Sequence, residues 1–105
     1  MEITYSSEGD RVRAYQETKI VGRIRLMGCE LMGLMVNEDV RRMGVATELM
    51  KQGIEKARQK GCQSVSVRVI TNNTEAIALY DKLGFKNTPY PSKDFIQMEL
   101  MVLPL

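Results

Sequence analysis

At residues 41–46 the sequence reads Arg41-Arg42-Met43-Gly44-Val45-Ala46, between an apolar segment at 30–36 and an amphipathic segment at 45–60. The first N–H groups of a helix have no intrahelical partner, and the helix dipole is positive at that end. Gly44 lets a ligand approach the backbone, and the two arginines add charge that pairs with phosphate. The turn therefore predicts a site for a phosphate-bearing cofactor. The alternative is an ordinary turn whose arginines face solvent.

Two common phosphate-binding loops do not match this turn. A Walker loop needs Gly-Lys-Ser/Thr after four spacer residues, and no part of the sequence follows that pattern. A dinucleotide-binding loop needs several glycines, whereas this turn contains only Gly44. The phosphate site is therefore of another kind.

Composition predicts one domain spanning residues 1–105, because a chain of 105 residues has room for one core. The 15 basic and 13 acidic side chains give a net charge of +2, which is too balanced for a nucleic-acid-binding stripe. The sequence has no histidine, which removes the commonest general base and the commonest metal ligand. We expect no metal, no nucleic-acid partner and no membrane association.

Two cysteines, Cys29 and Cys62, each lie next to a predicted strand. Two thiols cannot complete a four-ligand zinc site by themselves. We expect them to be reduced, partly buried thiols in a cytoplasmic protein, with a disulfide as the alternative.

Apolar periodicity predicts the element order β-β-β-β-α-β-α-β-β. Strands are expected at residues 1–6, 11–17, 20–27, 30–36, 63–70, 85–87 and 95–102, and helices at 45–60 and 75–83. The first three strands read as an antiparallel meander, and residues 30–70 as a right-handed parallel crossover. The fold class is α/β or α+β, with a mixed central sheet and two main helices.

A second motif lies at residues 73–85 and reads Asn73-x-x-Ala76-x-x-Leu79-Tyr80-x-x-Leu83-Gly84-Phe85. Taken with Leu34-x-Val36-x-x-x-x-Arg41-x-x-Gly44-x-Ala46, it resembles the GNAT superfamily of acetyl-CoA-dependent N-acetyltransferases. The earlier block resembles motif A of that family and the later block resembles its motif B. The resemblance covers roughly residues 20–100.

The resemblance implies that acetyl-CoA binds as co-substrate, with its pyrophosphate over residues 41–46. The backbone of residues 34–36 would pair with the pantetheine arm in a gap beside strand 63–70. N–H groups near Met35 and Val36 would polarise the thioester carbonyl. Asn73 would contact the cofactor arm, the alternative being a helix N-cap. The implied cofactor-binding residues are Leu34, Met35, Val36, Arg41, Arg42, Met43, Gly44, Val45, Ala46, Asn73 and Tyr80.

The resemblance also implies two catalytic residues. Tyr80 matches the family's proton donor to the departing thiolate, and the alternative is a core tyrosine. Glu30 stands where family members often carry a glutamate, and we take it as the candidate general base; the alternative is a solvated residue at a strand end. Arg68 occupies a position where some relatives carry an acidic residue, so that version of the mechanism is in doubt.

The sequence departs from the family pattern near its beginning. GNAT domains usually place two helices between their first and second strands, whereas residues 6–10 leave room only for a turn. The acceptor site is then open, or a partner chain completes it, or the chain is a shortened form of the family. An open sheet edge and a thin core would both favour a homodimer.

The function predicted from these residues is an N-acetyltransferase. It would move the acetyl group of acetyl-CoA directly to a primary amine of a small molecule or a protein. The alternative is a non-catalytic CoA-binding or assembly module with the same fold.

Overall fold

The computed structural model describes residues 2–88 and 98–105 of the chain. These ranges contain the helices α1 (Val45–Lys60) and α2 (Thr74–Lys82), and a 3-10 turn at Glu38–Val40. The strands are β1 (Ile3–Glu8), β2 (Arg11–Gln16), β3 (Lys19–Met27), β4 (Glu30–Val36), β5 (Ser64–Ile70), β6 (Lys86–Thr88) and β7 (Met98–Pro104). The strands form one sheet in the order β1-β2-β3-β4-β5-β7-β6.

The predicted element order and fold class are confirmed. The helix predicted at 45–60 has those bounds, and β1 extends two residues beyond the predicted 1–6, up to the turn at Gly9 and Asp10. No helix lies between β1 and β2, because this turn joins them as an antiparallel hairpin. Of the strand predicted at 95–102, residues 95–97 lie outside the described residues; Met1 does as well. The 3-10 turn at Glu38–Val40 was not predicted.

Strands β4 and β5 are the parallel pair of the sheet, and they separate after one register pair, Glu30↔Ser66. A bulge in β4 accompanies the separation: Arg23 pairs with Met35, while Arg25 pairs with Met32, so β4 carries an extra residue. Gly33 lies in this bulge with φ +71°. A bulge bends its strand away from regular pairing. The result is a gap between the two strands, as the resemblance implied.

Helix α1 covers one face of the sheet, because its apolar residues recur at helical spacing. Its buried residues are Val45, Leu49, Met50, Gly53, Ile54 and Ala57. The approach is close at Gly53, where an added Cβ would lie 2.7 Å from Cδ2 of Leu31 in β4. This packing fixes the beginning of α1, and so the turn before it, against the sheet.

The expectation of two reduced thiols was wrong, because Cys29 and Cys62 form a disulfide with Cα atoms 5.9 Å apart. Cys29 precedes β4 and Cys62 lies shortly before β5. Parallel neighbours begin at the same edge of a sheet, so this topology brings the two cysteines together. The cysteines therefore no longer support the cytoplasmic location that was predicted from reduced thiols.

Candidate active site

The turn at residues 41–46 presents an open backbone to solvent. Gly44 is the N-cap of α1 with φ +77°, and no side chain caps the helix there. An added Cβ on Gly44 would meet no heavy atom within 4 Å, so a ligand has room to reach the backbone. Arg42 also has a positive φ, of 68°, which costs a residue with a side chain about 1–2 kcal/mol. Unpaired N–H groups, two arginines and local backbone strain are together typical of an anion site.

A cavity of ≈ 570 Å³ opens beside this turn. The turn contributes Arg41, Arg42, Gly44, Val45 and Ala46 to its lining. Strand β4 adds Leu34 and Val36, and α2 adds Asn73. The two sequence motifs therefore meet in one cavity large enough for part of a nucleotide cofactor.

Sequence reasoning missed five residues that line the same cavity: Val40, Thr47, Glu75, Ala76 and Leu79. Ala76 and Leu79 follow Asn73 at intervals of three residues, which places them on one helix face. That spacing is the signal that would have found them. Glu75 adds one carboxylate to the lining that also contains the two arginines of the turn.

Three of the predicted cofactor-binding residues are not among the described residues that line this cavity. Met43 lies in the turn, but its side chain is 49% exposed. Met35 points to the sheet face opposite α1, where it lines another cavity. Tyr80 lies deeper, in a smaller cavity between β4 and β5. For Met35 the predicted contact is through the backbone, which the side-chain direction does not affect.

Asn73 caps α2, since its Oδ1 accepts a hydrogen bond from the N–H of Ala76 at 3.2 Å. This is the alternative stated for Asn73 from the sequence. The same side chain also lines the large cavity. The cap uses the amide oxygen, and the amide N–H groups are separate donors. The two interpretations of Asn73 are therefore compatible.

The smaller cavity has a volume of ≈ 230 Å³ and lies in the gap between β4 and β5. Glu30, Arg68 and Tyr80 line it, together with Leu34. Leu34 also lines the large cavity, so the two cavities share a wall. The gap thus brings both predicted catalytic residues next to the predicted cofactor site.

Tyr80 is buried, with 7% of its surface exposed. Its ring centroid lies 5.8 Å from that of Phe85, which fixes the ring by a tilted aromatic contact. Burial raises the pKa of the Tyr80 phenol above its usual value, because the charged phenolate is poorly solvated there. The Tyr80 phenol is therefore protonated at neutral pH.

Glu30 forms an ion pair with Arg68, whose Nε lies 3.1 Å from Oε2 of Glu30. The pair joins β4 to β5 at the gap: Glu30 is in register with Ser66, and Arg68 is two residues further along on the same face. Arg68 was noted from the sequence only as a departure from the family pattern. Parallel pairing of the two strands is the signal that would have identified it as a partner of Glu30.

Residues 4–85 match the family model described as the acetyltransferase (GNAT) family. The chain belongs to the GNAT family. The match includes both sequence motifs and every residue that lines the two cavities of this GNAT site.

Among curated GNAT relatives, the [ribosomal protein bS18]-alanine N-acetyltransferase of Escherichia coli is 27% identical over 101 residues, which cover 85% of this chain and 68% of the relative. A chloroplastic GCN5-related N-acetyltransferase 6 of Arabidopsis thaliana is 42% identical over 53 residues. That match covers 50% of this chain and 18% of the relative. The chain thus spans between about a fifth and two thirds of these relatives.

Solved GNAT structures have the same fold. The crystal structure of the Escherichia coli ribosomal-protein-S18-alanine N-acetyltransferase matches with a TM-score of 0.72 and 25% identity, over 95% of this chain and 68% of that one. The PaiA N-acetyltransferase of Thermoplasma acidophilum, solved in complex with coenzyme A, matches with a TM-score of 0.77 and 18% identity. This second match covers 90% of this chain and 60% of that one, and it shows the fold alone.

The described residues contain no group of three or more His, Cys, Asp or Glu side chains placed to hold a metal ion. None of their helices has the length and apolar character that a membrane span requires.

Proposed function

We propose that this GNAT domain binds acetyl-CoA and transfers the acetyl group directly to a primary amine. The observation that carries the proposal is the wall shared by the two cavities at Leu34. On one side of it lies a basic turn with an open backbone. On the other lie a buried phenol and a carboxylate. This arrangement suits a ligand with a phosphate-bearing end and a reactive end.

The turn fits the phosphates of acetyl-CoA. Arg41 and Arg42 supply positive charge, and the first N–H groups of α1 supply donors at the positive end of the helix dipole. The open space at Gly44 admits the ligand to those donors. The unpaired edge of β4 beyond Glu30 offers backbone groups to an extended amide-containing arm, much as a neighbouring strand would.

The smaller cavity fits the transfer step. An amine attacks the thioester carbon as a C–N bond forms and the C–S bond breaks. Glu30 accepts the proton that the amine nitrogen loses, and Tyr80 gives its proton to the departing sulfur. Solvent returns both residues to their starting states. The Arg68 ion pair holds the Glu30 carboxylate at the gap while leaving it further lone pairs to accept that proton.

The second candidate is a GNAT-fold module that binds CoA without catalysis. The ion pair between Glu30 and Arg68 favours it, because a carboxylate engaged by a guanidinium is a weaker proton acceptor. Cofactor binding is common to both candidates, so acetyl transfer separates them.

Calorimetric titration with acetyl-CoA tests the cofactor site, with Gly44→Glu as the variant. The variant places a negative charge where the phosphates would lie, and we expect binding to be lost. Gly9→Glu is the matched control, since Gly9 also has a positive φ, of 58°, and open space around its Cβ. Failure of the folded wild type to bind acetyl-CoA, or equal loss in both variants, would contradict the proposed site.

Acetyl transfer is then measured by the free thiol that each turnover releases. The only two cysteines of the sequence are joined in the disulfide, so the protein adds no thiol signal. The name of the Escherichia coli relative makes peptides with a free N-terminal amine the first acceptors to test, followed by small amines. Transfer to any of them favours the enzyme, and binding without transfer favours the second candidate.

A further inference from the structure

The sheet face opposite α1 carries four arginines in two directly opposed pairs. In the register of β2 and β3, Arg11 faces Arg25 and Arg13 faces Arg23. Residues that are cross-strand partners have side chains on the same face, a few ångström apart. We name these residues the arginine face.

The four arginines of this face form no ion pair in the part of the chain that the structure describes. None of its four guanidinium groups lies within 4.0 Å of a carboxylate there. Glu8 is the one acid opposite a member, across from Arg11 in β1. Like charges placed directly opposite each other destabilise a sheet. The two opposed pairs therefore cost stability, which Glu8 and Asp10 reduce only at the end of the face where they share a cavity with Arg11 and Arg13.

Apolar side chains continue the arginine face into β4. Met32 is the register partner of Arg25, and Met35 is that of Arg23. Met35 and Ile20 are each 45% exposed. Together with the arginines they line a shallow cavity of ≈ 550 Å³. An exposed surface that combines charge with large apolar side chains indicates a docking site.

This cavity adjoins the smaller cavity in the gap between β4 and β5. Met32 and Gly33 line it and also line the smaller cavity that holds Glu30 and Tyr80. A molecule on the arginine face therefore reaches the gap from the side opposite the basic turn. That side is where an acceptor amine would meet the thioester.

We propose that the arginine face docks an acidic, partly apolar polypeptide segment and that this segment carries the acceptor amine. Its use in catalysis rests on the proposed function, whereas the docking does not. Carboxylates would neutralise the opposed arginines, and apolar side chains would cover the methionines. A second copy of this chain does not fit, because symmetric pairing of this face would place eight arginines together.

Nucleic acid fits the arginine face less well than an acidic polypeptide. No aromatic residue is among the described residues that line the cavity, so bases have no stacking platform. A nucleic acid would also place its phosphates next to the exposed methionines and Ile20, which offer them no favourable contact. The net charge of the sequence is also only +2. Nucleic acid is therefore an alternative that the experiment must separate.

Fluorescence anisotropy tests the docking with a short peptide that has a free N-terminal amine, alternating Glu and Leu residues and a dye at its C-terminus. The comparison peptide has Gln in place of each Glu, and a single-stranded RNA oligomer serves as the nucleic-acid probe. We expect the Glu peptide to bind roughly tenfold tighter than the Gln peptide, and added salt to reduce the difference.

The variant is Arg23→Glu/Arg25→Glu, which converts both like-charge pairs into opposite-charge pairs. The fold should be retained with a higher Tm, and affinity for the Glu peptide should fall roughly tenfold or more. Lys51→Glu/Lys86→Glu is the control, with the same change in net charge on exposed side chains of α1 and β6. It should bind the Glu peptide like the wild type.

Equal affinity for the two peptides, or an unchanged affinity in the arginine variant, would overturn the docking. Tighter binding of RNA than of the Glu peptide, lost in the same variant, would replace the polypeptide with nucleic acid. Calorimetry with acetyl-CoA runs in parallel: a wild type that binds the Glu peptide but not acetyl-CoA keeps the docking and overturns the proposed function. Binding of both without acetylation of the peptide would overturn its role as acceptor.

Discussion

Arg68 lies with its Nε 3.1 Å from Oε2 of Glu30, on the strand that faces Glu30 across the gap. Beyond the single register pair Glu30↔Ser66, no backbone pairing joins these two strands. The ion pair therefore adds a side-chain link between them where the backbone pairing ends. The Glu30 side chain is 22% exposed and that of Arg68 is 46% exposed. Glu30 is thus held in place and still accessible from the cavity.

Replacing Glu30 with Gln should reduce acetyl transfer and leave cofactor binding unchanged. The amide still accepts a hydrogen bond from Arg68 but cannot take the proton of the amine, so we expect kcat to fall by roughly 10²–10⁴-fold. Steady-state kinetics and calorimetry with acetyl-CoA measure the two effects. Glu55→Gln is the matched control, because Glu55 pairs with Arg58 at the same 3.1 Å on an exposed surface. A Glu30→Gln enzyme with normal kcat would remove Glu30 from the mechanism.

Tyr80→Phe should lower kcat in a similar way. The substitution keeps the ring and its contact with Phe85 but removes the proton donor, so we expect a loss of roughly 10²-fold or more with the Kd of acetyl-CoA nearly unchanged. Tyr5→Phe, which removes a hydroxyl from the outer strand β1, controls for the chemical change. The result that would exclude Tyr80 as donor is a kcat within error of the wild type.

The raised pKa of Tyr80 also predicts how stability depends on pH. The unfolded chain ionises its tyrosines near pH 10, whereas folded Tyr80 stays protonated to a higher pH, so its contribution is complete below about pH 10 and is lost as pH rises towards the folded pKa. In denaturant unfolding from pH 8 to 11, the free energy of unfolding of the wild type should therefore fall as pH rises. The fall should be smaller in Tyr80→Phe. Parallel curves for the two proteins would contradict this prediction.

Removing the disulfide should destabilise the fold. The bridge closes a loop with a sequence separation of 33, and the chain-entropy relation gives about 3–4 kcal/mol for a loop of this length. We expect the free energy of unfolding of Cys29→Ser/Cys62→Ser, or of the reduced wild type, to be lower by that amount. Denaturant unfolding measures it as a lower midpoint concentration. Thiol titration of the native, unreduced protein should find no free thiol. Two free thiols in the protein as purified would show that the cysteines are not bridged.

Local signals in the sequence were enough to predict the elements that build the site. The apolar spacing of α1 and the glycines at both of its ends are enough to predict where this helix begins and ends. The cavity beside Gly44 follows once the two motifs are placed on neighbouring elements. Each of these features depends on residues close together in sequence, where periodicity and turn chemistry are informative.

Features that depend on strand register could not be predicted from local signals. The disulfide, the ion pair of Glu30 with Arg68, and the opposed arginines all join residues on neighbouring strands. A shift of one residue in register moves every side chain to the other face, so such pairs require the sheet to be known in detail. The parallel pairing of β4 with β5 was predicted, whereas the disulfide between Cys29 and Cys62 was not.

The gap between β4 and β5 has a mechanical consequence. The strands are fastened at one end, by the Glu30↔Ser66 pair and the nearby disulfide, and are apart at the other. From Glu30 to Val36, β4 extends roughly 20 Å at about 3.3 Å per residue, and it stays paired with β3 over this length, so the two strands move together. A rotation of about 5° at the fastened end then moves the far end by roughly 2 Å. A ligand held at the far end of β4, away from the Glu30–Arg68 ion pair and the disulfide, therefore has the greatest leverage on the width of the gap.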